Sequence, residues 1–296
     1  MGSAPETVPP PGEAYTVSLP WQGRRVVRTL PIEAEEAAVL TDWLTIVNET
    51  GVRYAVGGGY AFHAFTGIWR TTKDLDVFVR PADLKAVLDA LRRHGFETEV
   101  RDRLWLAKAH REPFLLDLLF SVRHCTPLDI TEGWFRSCRP ALFLGVPTCL
   151  LGVEEMIASK IYVAARDRFD GPDILHLVQA VDGRVDWEHV VDLLGGDEEI
   201  VLWHLLLLQF VYPGRPDYLP QALMERAFER ARAGWRSHPG RHVLRGRLID
   251  PDAFAYDVEE RGLEDCRDLR PLVGDDGALS EPAGHEDEGI ATGEAA

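Results

Sequence analysis

The sequence predicts an α+β fold, in which a small mixed β-sheet with flanking helices is followed by an all-α module. Two features of the pattern predict this fold class. In the first half of the chain, short apolar runs alternate with segments of helical periodicity, and in the second half the helical period continues alone. The predicted boundaries are an extended N-terminal arm over 1–30, a core over 31–150, a helical module over 151–270 and an acidic disordered tail over 271–296.

The elements of the predicted core follow from periodicity and from the residues that end helices. One helix ends at Gly51, and another begins at Pro81 and is followed by Gly95. Strands are predicted where short runs are apolar or alternate between apolar and polar residues. These runs are VRYAV from Val52, DLDVFV from Asp74, FETEV from Phe96, LWLAKAH from Leu104 and PFLLDLLFS from Pro113, with one strand or a strand pair in LFLGVPTCL from Leu142.

The helical module is predicted from apolar residues that recur with a period near 3.6. The first helical segment runs through EEMIASKIYVAARDRF from Glu154, and three to four helices follow it. Those later segments are WEHVVDLLG, EEIVLWHLLLLQFV, LPQALMERAFERARAG and DPDAFAYDVEERG.

Composition is that of an ordinary globular protein with an excess of acidic residues. The chain has 296 residues and a formal net charge of −16. From Asp275 to Ala296 there are seven acidic residues and no Lys or Arg, which is why a disordered tail is predicted there. The acidity argues against a protein that coats nucleic acid, although it does not exclude a local basic groove.

The sequence has no signature of a membrane or secreted protein. No run approaches the ~18 apolar residues of a membrane span, and the first residues lack the basic and apolar segments of a signal peptide. The cysteines show no CxxC spacing, so free thiols are expected rather than disulfides or a zinc site. They are Cys125, Cys138, Cys149 and Cys266. We therefore predict a cytoplasmic protein without membrane contact.

Two aspartates lie one residue apart in the predicted strand DLDVFV. Aspartate is depleted in strands, and side chains at positions i and i+2 share a face, so the carboxylates of Asp74 and Asp76 should lie side by side. Each raises the pKa of the other unless a cation joins them, and Mg²⁺ binds one or two carboxylates together with substrate phosphates. The pair is therefore predicted as a metal site rather than as two solvated carboxylates on an exposed edge strand.

A glycine-rich turn leads from the strand VRYAV into a short helix. Gly58 and Gly59 let backbone N–H groups approach an anion at the positive end of that helix, and a phosphate is the natural ligand. Arg70 and Thr72 add a guanidinium and a hydroxyl beside the aspartates, and both groups are suited to phosphate.

Asp117 lies inside the apolar run FLLDLLFS, where a lone carboxylate is costly to bury. If its strand lies beside that of Asp74 and Asp76, the same metal site offsets the cost, and three carboxylates can hold two ions. The alternative is a structural carboxylate paired with an arginine.

Together these motifs resemble the nucleotidyltransferases of the DNA polymerase β-like superfamily, and within it the minimal nucleotidyltransferases and AbiEii-type toxin enzymes. The resemblance spans roughly residues 50–180 and falls on GG-x-A followed by R-x-T-x-D-x-D. It implies transfer of a nucleoside monophosphate from an NTP to a hydroxyl group, with Mg²⁺ or Mn²⁺ as cofactor and release of pyrophosphate. The catalytic and metal-binding residues that it implies are Asp74, Asp76 and Asp117, and the nucleotide-binding residues are Gly58, Gly59, Arg70, Thr72 and Lys160.

Two features of the second half remain open between a functional and a structural interpretation. Lys160 either contacts the triphosphate, as the resemblance implies, or is a solvated helix residue. Asp170 is interpreted as a turn residue and Asp173 as a helix cap. From Arg226 to Arg247 there are seven arginines and one acid, which form either a solvated helix face or a groove for an RNA acceptor.

The motif predicts the donor half of the reaction and leaves the acceptor open, because fold does not determine function. The acceptor could be a small molecule, a tRNA end or a protein hydroxyl. The alternative hypothesis is a non-catalytic nucleotide-binding interaction protein, for example a component of a toxin–antitoxin pair with an antitoxin partner. The intact set of three acids counts against that alternative.

Overall fold

A nine-stranded mixed β-sheet forms the centre of the protein. The structure, a computed structural model, describes residues 14–122, 128–236, 242–267 and 269–280. The strands are β1 (Thr16–Trp21), β2 (Arg24–Thr29), β3 (Tyr54–Val56), β4 (Asp74–Val79), β5 (Glu97–Asp102), β6 (Leu106–Arg111), β7 (Phe114–Leu119), β8 (Ser121–Val122), β9 (Leu128–Asp129), β10 (Arg139–Phe143), β11 (Val146–Leu150), β12 (Val243–Leu244) and β13 (Glu264–Asp265). The central sheet has the order β2-β1-β10-β11-β3-β4-β7-β6-β5.

Helices cover this sheet and continue beyond it. They are α1 (Ala34–Glu49), α2 (Gly58–Thr66), α3 (Pro81–Arg93), α4 (Val153–Lys160), α5 (Gly171–Ala180), α6 (Trp187–Leu193), α7 (Glu198–Val211), α8 (Gln221–Arg236), α9 (Gly246–Ile249) and α10 (Ala255–Glu259). α1 packs against α3, whereas α2 lies between the sheet and α5. The predicted α+β class and the predicted core strands and helices are confirmed. No helix in the described ranges has the length and apolar character that a membrane span requires.

The central strands of the sheet combine parallel and antiparallel pairing. β4 pairs in parallel with β7, and β3 pairs antiparallel with β4 and in parallel with β11. The run LFLGVPTCL and the residues before it form a pair of strands, β10 and β11, because Leu144 and Gly145 turn the chain with φ of 52° and 79°. The alternative of a single strand there is excluded.

The N-terminal region differs from the extended arm predicted over 1–30. Its second part forms the hairpin β1–β2, which pairs with β10 and enlarges the sheet. Val17 and Leu19 are fully buried, so this hairpin belongs to the core. The pattern was missed because only four positions of the two hairpin strands are buried, and the outer strand β2 is rich in arginine. Residues 1–13 lie outside the described residues.

Two predicted boundaries in the second half also change. The helix predicted through EEMIASKIYVAARDRF ends at Lys160, and the chain then forms a loop before α5. The tail predicted over 271–296 includes a described part, 271–280, in which Val273 is buried and bridges to Leu279. The remainder of that predicted tail lies outside the described residues. The module predicted as all-α also contains the short strand pair β12–β13.

Candidate active site

A cleft of about 780 Å³ opens at the junction of the sheet, α2 and the α4–α5 segment. Strands β4 and β7 supply three carboxylates to it, and α4 and the following loop supply a lysine and an arginine. Every residue that the sequence predicted for the site lines this one cleft. They are Gly58, Gly59, Arg70, Thr72, Asp74, Asp76, Asp117 and Lys160.

The alternation of side chains along β4 orients its two aspartates. Leu75 and Val77 are fully buried in the core, and Asp74 and Asp76 face the cleft from the opposite side of the strand. In the parallel register of β4 and β7, Asp76 lies directly opposite Asp117. The three acids of the predicted site therefore lie on neighbouring strands at one position of the sheet.

The carboxylate of Asp76 carries the main electrostatic strain of the cleft. Burial and the negative charges of Asp117 and Asp74 raise its pKa from 3.8 to about 7, although Lys160 and Arg168 act in the opposite direction. In the described part of the chain, no cation lies within 4.0 Å of the Asp76 or Asp74 carboxylate. A site of this kind favours a proton or a bound cation near neutral pH.

Asp117 differs from the other two acids because a lysine neutralises it. Lys108 on β6 lies directly opposite Asp117, and its Nζ donates to both carboxylate oxygens at 2.6 and 2.9 Å. Burial nevertheless raises the pKa of Asp117 above its usual value. The alternative stated from the sequence paired Asp117 with an arginine. In the structure its partner is a lysine from the neighbouring strand.

The glycine turn holds Asp76 closely. Gly58 adopts φ +54°, and a Cβ placed there would lie 1.6 Å from Oδ2 of Asp76. A Cβ on Gly59 would come no closer than 3.4 Å to its nearest neighbour, the methyl group of Thr72. The two glycines therefore have different constraints: Gly58 leaves room for the aspartate, whereas a Cβ at Gly59 would make an ordinary van der Waals contact with Thr72.

Thr72 orients the backbone at the beginning of β4. The Thr72 hydroxyl accepts a hydrogen bond from the amide of Asp74 at 3.2 Å. This turn is followed at once by the two aspartates, so Thr72 sets the direction in which their strand enters the cleft. Thr72 also lines the cleft, and its hydroxyl donates to the carbonyl oxygen of Asp74 at 3.3 Å.

A buried ion cluster forms the helical wall of the cleft. Nζ of Lys160 lies 2.9 Å from Asp170 and 3.0 Å from Asp173. Arg70 lies 2.5 Å from Asp173, and Arg168 lies 2.9 Å from Asp170. Lys160 is buried, so the interpretation as a solvated helix residue is wrong.

Sequence reasoning missed the roles of Asp170 and Asp173 in this cluster. Asp170 occupies the position before α5 but makes no side-chain capping hydrogen bond, and Asp173 lies within the first turn. Both are buried, and Lys160 and Arg168 together outweigh the effect of burial and lower the pKa of Asp170. The sequence shows that these two aspartates lie three residues apart at the start of a helix. It does not show their partners, because the cations that pair with them come from three separate segments.

The acids of the cleft fit a divalent cation in charge and ligand type. Hard cations such as Mg²⁺ take carboxylate oxygens, and Asp74 and Asp76 supply two of these without competing ion pairs in the described residues. Among the residues described, no group of three or more His, Cys, Asp or Glu side chains is already arranged around one point. The third carboxylate of the cleft, Asp117, is engaged in its ion pair with Lys108 of β6.

The arginines predicted as a possible RNA groove are mostly engaged with acids. Arg226 lies 2.6 Å from the buried Glu198, and Arg245 lies 3.3 Å from Asp197. The other described ion pairs of this group are Arg230 with Glu198, Arg232 with Glu229 and Arg247 with Asp265. Arg241 and the side chain of Arg236 lie outside the described residues. The described arginines therefore do not form an uncompensated basic groove.

Comparison with known families agrees with the motif and the fold. A family model described as aminoglycoside-2''-adenylyltransferase matches residues 39–124. That range contains the glycine turn, both aspartates of β4 and Asp117, and it is less than a third of the chain. The match confirms the prediction of a nucleotidyltransferase of the polymerase β-like superfamily. No curated protein matches the chain at a significant level.

Several solved structures resemble the chain at low sequence identity. ANT(2'')-Ia in complex with adenylyl-2''-tobramycin is 18% identical, with a TM-score of 0.41, 55% of this chain and 96% of that chain covered. The lincosamide antibiotic adenylyltransferase LnuA, lincomycin-bound, is 17% identical, with a TM-score of 0.36 and coverages of 50% and 98%. An antigenic nucleotidyltransferase-like protein from Paracoccidioides brasiliensis is 15% identical, with a TM-score of 0.37 and coverages of 66% and 95%. Because these TM-scores lie below 0.5, no functional conclusion rests on them.

Proposed function

We propose that this nucleotidyltransferase transfers a nucleoside monophosphate from an NTP to a hydroxyl group of a small-molecule acceptor, with the help of a divalent cation. One observation carries the proposal. Asp74 and Asp76 project side by side into a large cleft, opposite Asp117, and the pKa of Asp76 is raised to about 7. Such a concentration of strained acids in a cleft is typical of a catalytic site.

The donor nucleotide is proposed to bind along the turn between β3 and α2. The first amides of a helix have no partner within the helix, so those of α2, which begins at Gly58 and Gly59, are available to phosphate oxygens. Arg70, Thr72 and Lys160 add charge and a hydroxyl on the same lining. Arg70 is about half exposed, so it can exchange its ion pair with Asp173 for a phosphate.

Asp74 and Asp76 are the residues proposed to hold Mg²⁺ or Mn²⁺, with Asp117 as the third candidate ligand. When bound, such a cation would neutralise charge on the phosphates and on the leaving pyrophosphate. The proposal is supported by the raised pKa of Asp76, because a cation relieves the same repulsion that otherwise favours protonation.

The reaction requires a proton acceptor near the attacking hydroxyl, and Asp117 is proposed for that role. The acceptor oxygen forms a bond to the α-phosphorus, the bond from that phosphorus to the bridging oxygen breaks, and pyrophosphate leaves with the electron pair. The hydroxyl proton passes to a carboxylate oxygen of Asp117. Burial makes Asp117 more basic than a free carboxylate, and Lys108 holds it in position.

A small-molecule acceptor is favoured over RNA for two reasons. The matching family model is named for an adenylyltransferase that acts on an aminoglycoside. The arginines that would form an RNA groove are paired with acids wherever the structure describes them. A non-catalytic nucleotide-binding partner in a toxin–antitoxin pair would bind NTP and release no pyrophosphate, so the two hypotheses are separable by turnover.

The test is label transfer from each of the four α-labelled NTPs in the presence of Mg²⁺. The acceptor panel contains aminoglycosides, lincosamides, total tRNA and a protein extract, and Asp76→Asn serves as the inactive control. We expect label on a small molecule with wild-type protein and none with Asp76→Asn. Pyrophosphate release from neither protein, despite NTP binding, would favour the non-catalytic alternative.

A further inference from the structure

A pair of exposed aromatic rings lies on the helical side of the cleft. Phe169 and Trp203 stack with ring centroids 6.2 Å apart and planes inclined by 25°. Phe169 is 44% exposed and Trp203 is 40% exposed, and Phe169 is part of the cleft lining. Adjacent apolar rings that remain open to solvent beside a polar cleft are typical of a ligand surface.

The segment that carries Phe169 is fixed by backbone contacts. Ala164 and Phe169 form an antiparallel bridge, which closes the loop between α4 and α5. The amide of Arg166 donates to Oδ2 of the buried Asp250 at 2.9 Å, which ties the same loop to α9. The ring of Phe169 therefore projects from an ordered loop and is preorganised for a ligand.

The rings of Phe169 and Trp203 also contact the protein on the side away from solvent. A Cβ at Gly171 would lie 2.1 Å from the outer end of the Phe169 ring, so the glycine leaves room for this ring beside the backbone. The His204 ring lies 5.0 Å from Trp203, and its Nδ1 donates to the carbonyl of Ile200. Burial lowers the pKa of His204, so the support beneath the rings is uncharged.

We propose that Phe169 and Trp203 form a stacking surface that binds the apolar face of a ring in the acceptor. The inference rests on the proposed transferase function and adds the class of acceptor: a small cyclic molecule with a hydroxyl at its edge. Both rings lie outside residues 39–124, the range of the family match. The donor phosphates are proposed to bind at the first turn of α2, whereas Phe169 lines the cleft from the loop between α4 and α5, so the ring pair is assigned to the acceptor.

The chemistry of the surrounding lining suits such a molecule. Aromatic side chains pack on the C–H face of a saturated ring or on the face of a planar ring, and they leave the ring's edge free. Asp167 lines the same cleft and offers a carboxylate to hydroxyl or amine groups at that edge. A linear acceptor or an extended peptide gains little from two stacked rings.

The test measures binding separately from turnover. Phe169→Leu and Trp203→Leu keep apolar volume and remove one ring each, either the ring on the cleft lining or the ring stacked against it. Phe210→Leu, on the same helix as Trp203 and seven residues beyond it, is the control, because Phe210 is 83% exposed. Calorimetry uses two ring-bearing probes, tobramycin and lincomycin, and separately ATP. We expect about a tenfold loss of affinity for a bound probe in each cleft variant, with ATP affinity and the control unchanged.

Two results would overturn the inference. One is a loss of ATP affinity with unchanged probe affinity, which would assign the rings to the nucleobase. The other is wild-type protein that binds neither probe, even if it transfers label to a different class of acceptor. Trp203→Phe retains a ring and must retain probe binding. Ring-dependent probe binding without any label transfer would instead contradict the proposed function and leave the stacking surface in place.

Discussion

At the scale of single residues, Gly58 and Asp76 depend on each other. The aspartate occupies the space that a side chain on the glycine would need, and the positive φ of Gly58 is a conformation that L-residues adopt only at a cost. The sequence motif pairs glycines with aspartates more than ten residues later, and this contact is a physical reason for the pairing. The absence of a side chain at Gly58 therefore makes room for the Asp76 carboxylate as well as for any bound phosphate.

Gly58→Ala and Gly59→Ala should therefore have different effects. For Gly58→Ala we expect a loss of stability of at least ~1 kcal/mol from the backbone conformation, and at least a hundredfold loss of label transfer because Asp76 is displaced. Gly59→Ala should fold normally, since alanine favours a helix and its Cβ has room. Thermal unfolding and turnover of both variants check this. Equal effects of the two substitutions would contradict the assigned contact.

The raised pKa of Asp76 predicts a pH dependence of stability. Its pKa is about 7 in the folded protein against 3.8 ordinarily, so the folded state holds the proton more tightly. The stabilisation is complete below about pH 4 and is lost as the pH rises through about 7, by up to a few kcal/mol. Without metal, wild-type protein should thus melt at a lower temperature at pH 8 than at pH 5.

Asp76→Asn provides the control for that pH dependence. The variant should have a smaller difference in melting temperature between pH 5 and pH 8, and it should exceed wild type in stability at pH 8 in EDTA. Added Mg²⁺ should raise the melting temperature of wild type at pH 8 and leave that of the variant unchanged. The same pH slope in both proteins would mean that Asp76 is not the titrating group.

At the scale of elements, the cluster of Lys160, Asp170 and Asp173 joins α4 to α5 and to the segment before β4. The ammonium and both carboxylates are buried, so each depends on its partners for solvation. Arg70 and Arg168 enter from the solvent side and complete the cluster. A phosphate that binds to these cations would therefore also change the ion pairs that hold the two helices together.

Lys160→Met should cost ~3 kcal/mol of stability, because it leaves two buried carboxylates without their shared cation. Arg70→Met should cost less than ~1 kcal/mol, because the Arg70 side chain is 53% exposed. Chemical denaturation of both variants measures the difference. A Lys160→Met protein with wild-type stability and reduced NTP affinity would show instead that Lys160 acts mainly on the nucleotide.

The arginine-rich helix α8 packs through ion pairs against α6 and α7. Arg226 of α8 bridges Glu188 and Glu198, and Arg245, which precedes α9, reaches Asp197 and Glu199. We expect Arg226→Ala to lower the melting temperature, because it removes the ion pair with the buried Glu198, and to leave any binding of total tRNA unchanged. A filter-binding salt titration checks this. A salt slope that flattens by about one unit in the variant would restore the RNA hypothesis.

At the scale of the whole molecule, the sheet and the helical region share one apolar core. Buried residues of the strands and of α4 to α7 form a single cluster. Glu155 on α4 is fully buried, accepts a hydrogen bond from Ser137 in the segment before β10, and lies 2.8 Å from Nε2 of His189 on α6. The predicted boundary near residue 150 thus lies within a continuous core, and the cleft lies where its two parts meet.

The N-terminal hairpin provides a test of this shared core. Deletion of residues 1–30 should abolish soluble, cooperatively folding protein, because it removes the buried Val17 and Leu19 and exposes the edge of β10. Deletion of residues 1–13 keeps the hairpin and should leave the melting temperature within a few degrees of the full chain. If the longer deletion folds as stably as the shorter one, the hairpin does not contribute to the core.

The sequence by itself determined the order of the core elements and eight of the residues that line the cleft. Alternation along DLDVFV oriented Asp74 and Asp76, and proline and glycine marked the ends of the core helices, because these signals act over a few residues and need no tertiary context. Asp74, Asp76 and the glycine turn could be found for the same reason, because each lies at a fixed spacing within one strand or turn. Asp117 was found as a lone acid in an apolar run and was assigned to the site through the family resemblance.

Only the tertiary structure decided which charges neutralise one another. Lys108 pairs with Asp117 across a strand register, and Lys160 pairs with acids that follow a ten-residue loop, so neither pairing has a local sequence signal. The place of the β1–β2 hairpin in the sheet depends on pairing with a strand more than a hundred residues later. Such contacts are selected by burial and by the cost of unpaired charge, and both depend on the whole fold. Local sequence patterns carry no information about either.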